Sequence, residues 1–270
     1  MRDGAGFSMT LDGEGGLHVE ISGRGPPLVL LHGWAMHGGV FATLAQRLQD
    51  AFTLHVVDLP GHGQSRDSTV PLQLEACVDA IARLVPRAPW CGWSLGGLFA
   101  LHAAATRSSQ VPALLMLCAS PCFVRTPDWK YGVSADIFHD FATGLRSDYR
   151  GTLDRFIALE AFGSDHARDE IRALRDTLFA HGEPTAQVLA EGLDLLQHTD
   201  LRGTLSTLPV PSLWLAGRRD RLVDPRAVRA AVATTPDASM HVIEHAGHAP
   251  FLTHADEVAN GILKFMNVQQ

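Results

Sequence analysis

Short hydrophobic runs alternate along the chain with longer stretches whose hydrophobic positions recur every three or four residues. The short runs predict strands and the longer stretches predict helices, because a helix returns to the same face about every 3.6 residues. The predicted strands lie at residues 28–31, 52–57, 89–92, 113–119, 211–216 and 240–243. This alternation predicts an α/β fold, with a mainly parallel sheet that carries helices on both faces.

Two parts of the chain depart from this alternation. Residues 8–11 and 17–22 predict an antiparallel pair of strands, joined by a glycine-rich turn at 12–16. Residues 122–204 show helical periodicity only, including amphipathic segments at 152–160 and 166–180. We therefore predict a core formed by residues 1–121 and 205–270, and a helical insertion at 122–204 that covers the carboxyl edge of the sheet as a lid.

The segment Gly92-Trp93-Ser94-Leu95-Gly96-Gly97 joins a predicted strand to a predicted helix. A G-x-S-x-G sequence in that setting is typical of a nucleophile elbow, a sharp turn that presents its serine at the end of a strand. The serine in such a turn has a strained backbone, and the glycines allow the helix and strand to approach closely. Ser94 is therefore the predicted nucleophile.

A serine hydroxyl needs a base that takes its proton and an acid that orients the base. Asp220 lies in the loop after the predicted strand 211–216, and His248 lies in the loop after 240–243. The chain order of nucleophile, acid and histidine matches the order expected for this elbow. We predict a catalytic triad of Ser94, His248 and Asp220 that performs acyl transfer.

Two neighbouring residues offer alternatives for the acid and the base. Asp224 precedes a proline, so we interpret it as the residue that begins the next helix rather than as the acid. His245 lies only two residues beyond its predicted strand, whereas His248 follows Gly247 inside the loop. We therefore favour Asp220 and His248.

Acyl transfer also needs backbone N–H groups that stabilise the oxyanion. The hydrophobic strand 28–31 leads into His32-Gly33-Trp34, where such a loop belongs. The predicted donors are the amides of Trp34 and Leu95. We interpret His32 as a structural hydrogen-bonding residue and Asp58, which precedes Leu59-Pro60-Gly61, as part of a turn.

Composition and charge narrow the classes of function. A chain of 270 residues that is 46% hydrophobic can bury one large core. With 22 Lys and Arg against 29 Asp and Glu, the net charge of −7 argues against general binding of nucleic acids. The first residues lack the apolar segment of a signal peptide, and no run reaches the roughly 18 apolar residues of a membrane span. We expect a cytoplasmic monomer that contacts no membrane.

The cysteines and histidines do not indicate a metal or a cofactor. The four cysteines are Cys77, Cys91, Cys118 and Cys122. They lie mostly in apolar segments and lack C-x-x-C spacing, which favours buried free thiols. The 14 histidines, among them His62, are dispersed and form no H-E-x-x-H motif. We expect no cofactor and no metal site.

Several of these motifs together resemble one known family. They are His32-Gly33-Trp34, residues 57–65, Gly92-Trp93-Ser94-Leu95-Gly96-Gly97, Ser120-Pro121-Cys122-Phe123 and Gly247-His248-Ala249-Pro250-Phe251. The chain resembles the α/β-hydrolase superfamily, and most closely its pimeloyl-[acyl-carrier protein] methyl ester esterases of biotin synthesis. The resemblance covers nearly the whole chain, including the segments 154–160 and 167–174 of the insertion. The stretch up to about Gly16 lies beyond the usual start of that family.

The resemblance implies a substrate and a set of contacts. The substrate is a pimeloyl chain that ends in a methyl ester and is joined by phosphopantetheine to an acidic carrier protein. Trp34, Trp93 and Phe156 are the implied substrate-binding residues. The implied carrier-binding residues are Arg150, Arg155, Arg168 and Arg172, of which Arg150 is displaced by one position from the family's arginine.

The net negative charge of the insertion limits how it can attract an acidic carrier protein. Residues 122–200 contain 8 Lys and Arg against 14 Asp and Glu, so only a local group of arginines can attract an acidic partner. On periodicity alone, the arginines of segment 166–180 are better explained as a solvated helix face that pairs with Asp169 and Asp176, and only the resemblance favours contact with a carrier.

Two other functions use the same fold. One is a small-ester carboxylesterase or a carbon–carbon bond hydrolase that carries the same triad. The other is a hydrolase-fold interaction module without catalysis. Dehalogenases and epoxide hydrolases are disfavoured, because they carry Asp where this chain has Ser94.

Overall fold

The computed structural model describes residues 8–12 and 15–268. The described residues form one eight-stranded sheet in the order β1-β2-β4-β3-β5-β6-β7-β8. The strands are β1 (Ser8–Asp12), β2 (His18–Gly23), β3 (Pro27–Leu31), β4 (Thr53–Val57), β5 (Trp90–Trp93), β6 (Leu114–Leu117), β7 (Ser212–Gly217) and β8 (Ala238–Ile243). Each predicted strand is confirmed, and the predicted turn at 12–16 lies partly outside the described residues.

Most helices alternate with the strands along the chain, but several follow one another between β6 and β7. They are α1 (Ala42–Leu48), α2 (Leu74–Leu84), α3 (Leu95–Thr106), α4 (Ala135–Ser147), α5 (Tyr149–Glu160), α6 (Ala167–Ala180), α7 (Ala186–His198), α8 (Pro225–Thr234), α9 (Pro250–Thr253) and α10 (Ala255–Val268). None of the helices in the described ranges combines the length and the apolar character that crossing a membrane requires.

Strand direction decides where the loops meet. β1, β2 and β4 pair antiparallel, as expected for the start of the chain, whereas β4, β3, β5, β6, β7 and β8 pair parallel to one another. The carboxyl ends of the parallel strands therefore lie along one edge of the sheet. The loops that follow β3, β5, β7 and β8 contain the predicted oxyanion loop, nucleophile, acid and base, so the topology brings them to the same edge.

The central strands are hydrophobic along their whole length because helices cover both faces of the sheet. Every residue of β5, β6 and β7 is buried. The edge strand β8 alternates between more and less exposed positions instead. The core is filled by large side chains that include Trp34, Trp90, Trp93 and Trp214, each fully buried.

Helices α4 to α7 occupy the interval between β6 and β7, so the predicted segments 152–160 and 166–180 are confirmed as helical. The two ends of this interval meet. Cys122 and Asp200 form an isolated antiparallel bridge, and the N–H of Leu201 donates to the carbonyl of Pro121 at 2.8 Å. The chain thus leaves the sheet and returns to it at nearly the same point. We refer to α4–α7 with their connections as the helical insertion.

Candidate active site

Ser94 lies at a sharp turn between β5 and α3. Its backbone has φ 53° and ψ −119°, which is a strained conformation for a residue other than glycine. The glycines around it permit the turn, because a Cβ on Gly92 would lie 2.3 Å from the carbonyl oxygen of Gly96, and one on Gly96 would lie 2.3 Å from that of Leu31. The close contact between strand and helix holds Ser94 at the carboxyl edge of the sheet.

The structure brings Ser94, His248 and Asp220 together. His248 Nε2 lies 2.8 Å from Ser94 Oγ, and His248 Nδ1 lies 2.8 Å from Asp220 Oδ2. A carboxylate only accepts hydrogen bonds, so Nδ1–H donates to Asp220 and Nε2 is free to accept the Ser94 hydroxyl proton. Asp220 Oδ1 accepts the backbone N–H groups of Leu222 and Val223, each at 2.9 Å. This arrangement can transfer the serine proton to an oriented base.

The loop that carries His248 is fixed from two sides. The N–H of His248 donates to the carbonyl of Glu160 at 3.2 Å. Its own carbonyl accepts Trp93 Nε1–H at 2.9 Å, and the Trp93 ring lies 5.7 Å from the imidazole. Gly247 allows this packing, since a Cβ there would lie 3.2 Å from the Glu160 carbonyl oxygen. The base is therefore held by its backbone as well as by Asp220.

The predicted oxyanion loop packs directly on the elbow. A Cβ on Gly33 would lie 3.1 Å from the Cβ of Ser94. Within the described part of the chain, neither the N–H of Trp34 nor that of Leu95 donates a hydrogen bond. Two unpaired amides near a nucleophile are the donors that an oxyanion requires.

The side chain of His32 holds this loop in place through hydrogen bonds of both ring nitrogens. Its Nε2 accepts the N–H of Leu59 at 2.9 Å, so the proton lies on Nδ1, which donates to the carbonyl of Gly33 at 2.8 Å. Burial, followed by the neighbouring His62, lowers the pKa of His32 well below its usual value. A neutral imidazole with both nitrogens occupied is a structural group, as the sequence predicted.

A narrow apolar cavity of about 20 Å³ opens on Ser94. Nine other residues line it: Phe123, Val133, Ile137, Phe138, Phe141, Phe156, Leu193, Leu196 and Leu222. Eight of them belong to the segment between β6 and β7, so this segment and the sheet edge together enclose the space in front of the nucleophile. The cavity suits an uncharged, largely hydrocarbon group.

Comparison with known proteins identifies the family. Residues 26–255 match the family model described as the alpha/beta hydrolase fold. The chain belongs to the α/β-hydrolase family. The fold class predicted from the sequence is thereby confirmed.

Individual relatives identify a narrower family within the α/β-hydrolases. The chain is 58% identical over 250 residues to a pimeloyl-[acyl-carrier protein] methyl ester esterase of Stenotrophomonas maltophilia, which covers 93% of this chain and 96% of that protein. It is 57% identical to the protein of the same name from Xanthomonas campestris pv. campestris, over 93% and 98% of the two chains. The chain therefore belongs to this esterase family within the α/β-hydrolases. Among solved structures, an esterase from Exiguobacterium antarcticum has the same fold, with a TM-score of 0.85, 20% identity and coverage of 97% and 100%.

The three predicted substrate-binding residues of this α/β-hydrolase have different positions. Phe156 lines the cavity. The Trp34 ring packs edge-on against Phe156 with centroids 4.5 Å apart, one layer behind the wall. Trp93 is placed elsewhere, between His248 and Phe251, so we expect it to hold the base rather than to contact an acyl chain.

Sequence reasoning missed two of the lining phenylalanines on α4. Phe138 and Phe141 are three residues apart and therefore share a face of the helix. That spacing was the available signal. It could indicate a buried face, but only the structure shows that this face meets Ser94.

Sequence reasoning also missed two buried carboxyl groups near the triad. Glu160 is 1% exposed and Glu170 is 0% exposed. Burial, then the proximity of Asp220 and of Glu170, raises the pKa of Glu160 well above its usual value. A signal existed for Glu170, which shares the i, i+4, i+8 row of α6 with Leu174 and Leu178.

Two of the predicted carrier-binding arginines pair with acidic groups of their own or the adjacent helix. Arg155 lies 3.4 Å from Asp148 and also donates to Thr152 Oγ1 at 2.6 Å. Arg172 lies 3.6 Å from Asp169, one of the two partners expected for a solvated face. Both arginine side chains are more than half exposed, at 58% and 73%.

The other arginines complete this surface. Arg150 pairs with Glu183 at 2.5 Å and lies over the ring of Phe179. Arg168 is exposed. Arg175 pairs with Asp154 at 2.9 Å, rather than with an acid of its own helix, and so joins α6 to α5.

The other Asp and His residues that were considered for the triad have structural contacts instead. Asp224 caps α8 by accepting the N–H of Arg226 at 2.8 Å, as predicted. Asp58 accepts backbone N–H groups from Gly38 and Gln64 and thereby holds a turn. His245 is 64% exposed and lies 3.1 Å from Asp165.

The four cysteines are free and buried, as predicted. Burial raises the pKa of the Cys77 and Cys91 thiols to about 12, so they stay protonated and unreactive. A wider groove lies along β8 and α10, beside Met240, Asn260 and Phe265, and it contains no member of the triad.

Proposed function

We propose that this chain is a serine carboxylesterase that hydrolyses the methyl ester of pimeloyl-[acyl-carrier protein] to the free acid and methanol in biotin synthesis. One observation carries the proposal: the hydroxyl of Ser94, 2.8 Å from His248 Nε2, opens on an apolar cavity. The relatives that are 57–58% identical and bear the name of this esterase support the choice of substrate.

The first half of the reaction forms an acyl-enzyme. Ser94 Oγ attacks the ester carbonyl carbon while its proton moves to His248 Nε2. The negative charge that develops on the carbonyl oxygen is stabilised by the N–H groups of Trp34 and Leu95. Collapse of the tetrahedral intermediate breaks the bond to the methoxy oxygen, which takes the proton from Nε2 and leaves as methanol.

The second half uses the same groups. Water gives a proton to His248 Nε2 and attacks the acyl carbon, and the second tetrahedral intermediate returns the proton to Ser94 Oγ as it expels the serine. The product is a carboxylic acid, which releases its remaining proton to solvent and becomes a carboxylate. Because an apolar cavity disfavours an unpaired charge, the product is bound more weakly than the neutral ester and is released.

The helical insertion, residues 122–204 over a core of residues 1–121 and 205–270, acts in this proposal as a lid. Its apolar side encloses the methylene chain, and each buried methylene contributes about 0.8 kcal/mol. Its outer side presents the arginines at positions 150, 155, 168 and 172 to the phosphate and to the acidic carrier protein. We further propose that the enzyme works as a cytoplasmic monomer without a cofactor.

Release of methanol from pimeloyl-[acyl-carrier protein] methyl ester tests the proposal. We expect the purified protein to release methanol, and Ser94→Ala or His248→Ala to lower kcat by about 10³-fold or more, because the members of a triad act as a unit. A fluorophosphonate should label Ser94 and leave Ser94→Ala unlabelled. Labelling of another serine would contradict the assignment of the nucleophile.

A genetic comparison tests the pathway. The wild-type chain, but not Ser94→Ala, should restore growth of a biotin auxotroph that lacks the esterase. Hydrolysis of p-nitrophenyl acetate without methanol release from the carrier-linked ester would instead indicate a small-ester carboxylesterase.

A further inference from the structure

Glu170 lies directly against the loop that carries His248. It comes from α6 of the helical insertion and is completely buried. A Cβ on Gly247, the residue before His248, would lie 3.7 Å from Glu170 Oε2. The carboxyl group thus lies next to the backbone of the loop that carries the base.

The hydrogen bonds of Glu170 favour its ionised form. Oε1 accepts two hydroxyl groups, those of Ser164 at 2.7 Å and of Thr253 at 2.8 Å. Donors aimed at a carboxylate stabilise its negative charge. Burial raises the pKa of Glu170, whereas these two hydroxyl groups lower it and limit the rise.

The other oxygen of Glu170, Oε2, has no hydrogen-bond partner among the described residues, so the two hydroxyl groups stabilise the charge through Oε1 alone. Glu160 has no such donors. Among the described residues, neither of its carboxyl oxygens has a hydrogen-bond partner, and the side chain is 1% exposed. A buried carboxyl group without donors favours the neutral form, because an unpaired charge is costly in an apolar interior. Of the two carboxyl groups, Glu170 is therefore the one whose surroundings favour the charged form more.

We propose that Glu170 is a positioning residue that acts through His248: its carboxylate supplies a second negative charge, besides Asp220, that stabilises the imidazolium formed during acyl transfer, while Glu160 stays uncharged. This inference rests on the proposed serine esterase chemistry. His248 is completely buried, so water cannot stabilise its positive charge. A nearby carboxylate does so instead.

The remaining titratable groups around this pair do not replace Glu170. Cys118 lies beside Asp220, and burial raises the pKa of its thiol well above the usual value, so it is neutral. His166 and His254 lie on the α6 and α9 side, with ring centroids 5.6 Å apart. Burial lowers the pKa of His254, which favours its neutral form.

The pH dependence of kcat/KM for p-nitrophenyl acetate tests the inference. Glu170→Gln removes the charge but keeps the shape, so the proton affinity of the imidazole should fall. The midpoint of the acid side of the profile should then move to lower pH by about half a unit or more, and the plateau rate should fall several-fold. Glu160→Gln should leave the midpoint at the wild-type value.

Matched variants separate charge from structure. Asp176→Asn removes an exposed negative charge from the same helix and should not move the midpoint. Thr253→Val removes one donor from Glu170 and should move the midpoint in the same direction as Glu170→Gln, by less. This second variant preserves shape, so it remains informative if Glu170→Gln does not fold.

The possible failures can be told apart. An unchanged midpoint in folded Glu170→Gln and in Thr253→Val would overturn the inference, as would an equal shift in Glu160→Gln. Absence of esterase activity in the wild-type protein would contradict the proposed function instead.

Discussion

Trp34 serves the site through two separate groups. Its indole Nε1–H donates to the carbonyl of Leu189 at 2.8 Å, and a Cβ on Gly192 would lie 2.7 Å from its ring. The ring therefore anchors α7 of the helical insertion to the sheet edge. The backbone N–H of the same residue is the proposed donor to the oxyanion, so substitutions can separate the two roles.

We expect Trp34→Phe to preserve most of kcat while lowering the free energy of unfolding by about 1–3 kcal/mol, because it removes a buried hydrogen bond and some packing. Trp34→Pro removes the N–H and should lower kcat by about 10²-fold or more. Steady-state kinetics with p-nitrophenyl acetate measure both effects, and thermal unfolding establishes that each variant is folded. Equal losses of kcat in two folded variants would show that the ring, not the amide, matters.

At the scale of the element, the end of α5 combines two tasks. The carbonyl of Glu160, its last residue, accepts the N–H of His248. The side chain is buried at the negative end of the helix dipole and close to other acidic groups, all of which disfavour its charged form. Stability should therefore depend on pH through this residue.

The raised pKa of Glu160 determines whether stability rises or falls with pH. The folded state keeps a proton that the unfolded state releases above its ordinary value of 4.5, so stability falls as pH rises from that value toward the folded-state pKa. Glu160→Gln abolishes this loss. We expect the variant to be more stable than the wild type at neutral pH, with a gap that widens with pH by at most about 1.4 kcal/mol per unit.

Urea unfolding at a series of pH values between acid and neutral measures this gap. Glu20→Gln is the control, because Glu20 is exposed on β2 and its replacement should leave the pH dependence unchanged. Parallel curves for wild type and Glu160→Gln would show that Glu160 is ionised in the folded protein.

At the scale of the whole molecule, charge is distributed unfavourably for long-range attraction of an acidic partner. The net charge is −7, and the helical insertion is itself acidic. The local pairs of Arg155 with Asp148 and of Arg172 with Asp169 are long, at 3.4 Å and 3.6 Å, and exposed. Such pairs contribute little to stability, so these arginines can exchange their partners for a carrier at small cost.

Replacement of Arg155, Arg168 and Arg172 by Ala should raise KM for pimeloyl-[acyl-carrier protein] methyl ester by roughly tenfold and weaken its dependence on salt. The kcat/KM for p-nitrophenyl acetate should stay near the wild-type value, because a small ester reaches Ser94 without contacting the outer surface. The ratio of the two kcat/KM values at low and high salt is the measurement.

The matched control replaces three exposed arginines of the core, Arg24, Arg83 and Arg229, which changes the net charge by the same amount. The control should keep the wild-type ratio. If the variant of the insertion also keeps it, the arginines only pair with neighbouring acids, and the esterase proposal stands without carrier contact by these residues.

Much of the fold was predictable because its signals are local. The central parallel strands are continuous apolar runs, since both faces of the sheet are covered there, and the glycines around Ser94 indicate a turn that needs them. The order Ser94, Asp220, His248 follows from the loops after particular strands, and parallel strands bring those loops to one edge. These are the residues that the structure brings within hydrogen-bond distance.

Only the tertiary structure decided which side chains meet. The direction of the Trp93 ring, the cavity wall formed by α4 and the position of Glu170 next to the His248 loop depend on how the helical insertion packs on the sheet. Periodicity shows that a helix has a buried face, but it does not show what that face contacts. The sequence by itself determined the strands, the elbow and the candidate triad, whereas packing between distant segments decided the cavity and the electrostatic surroundings of the base.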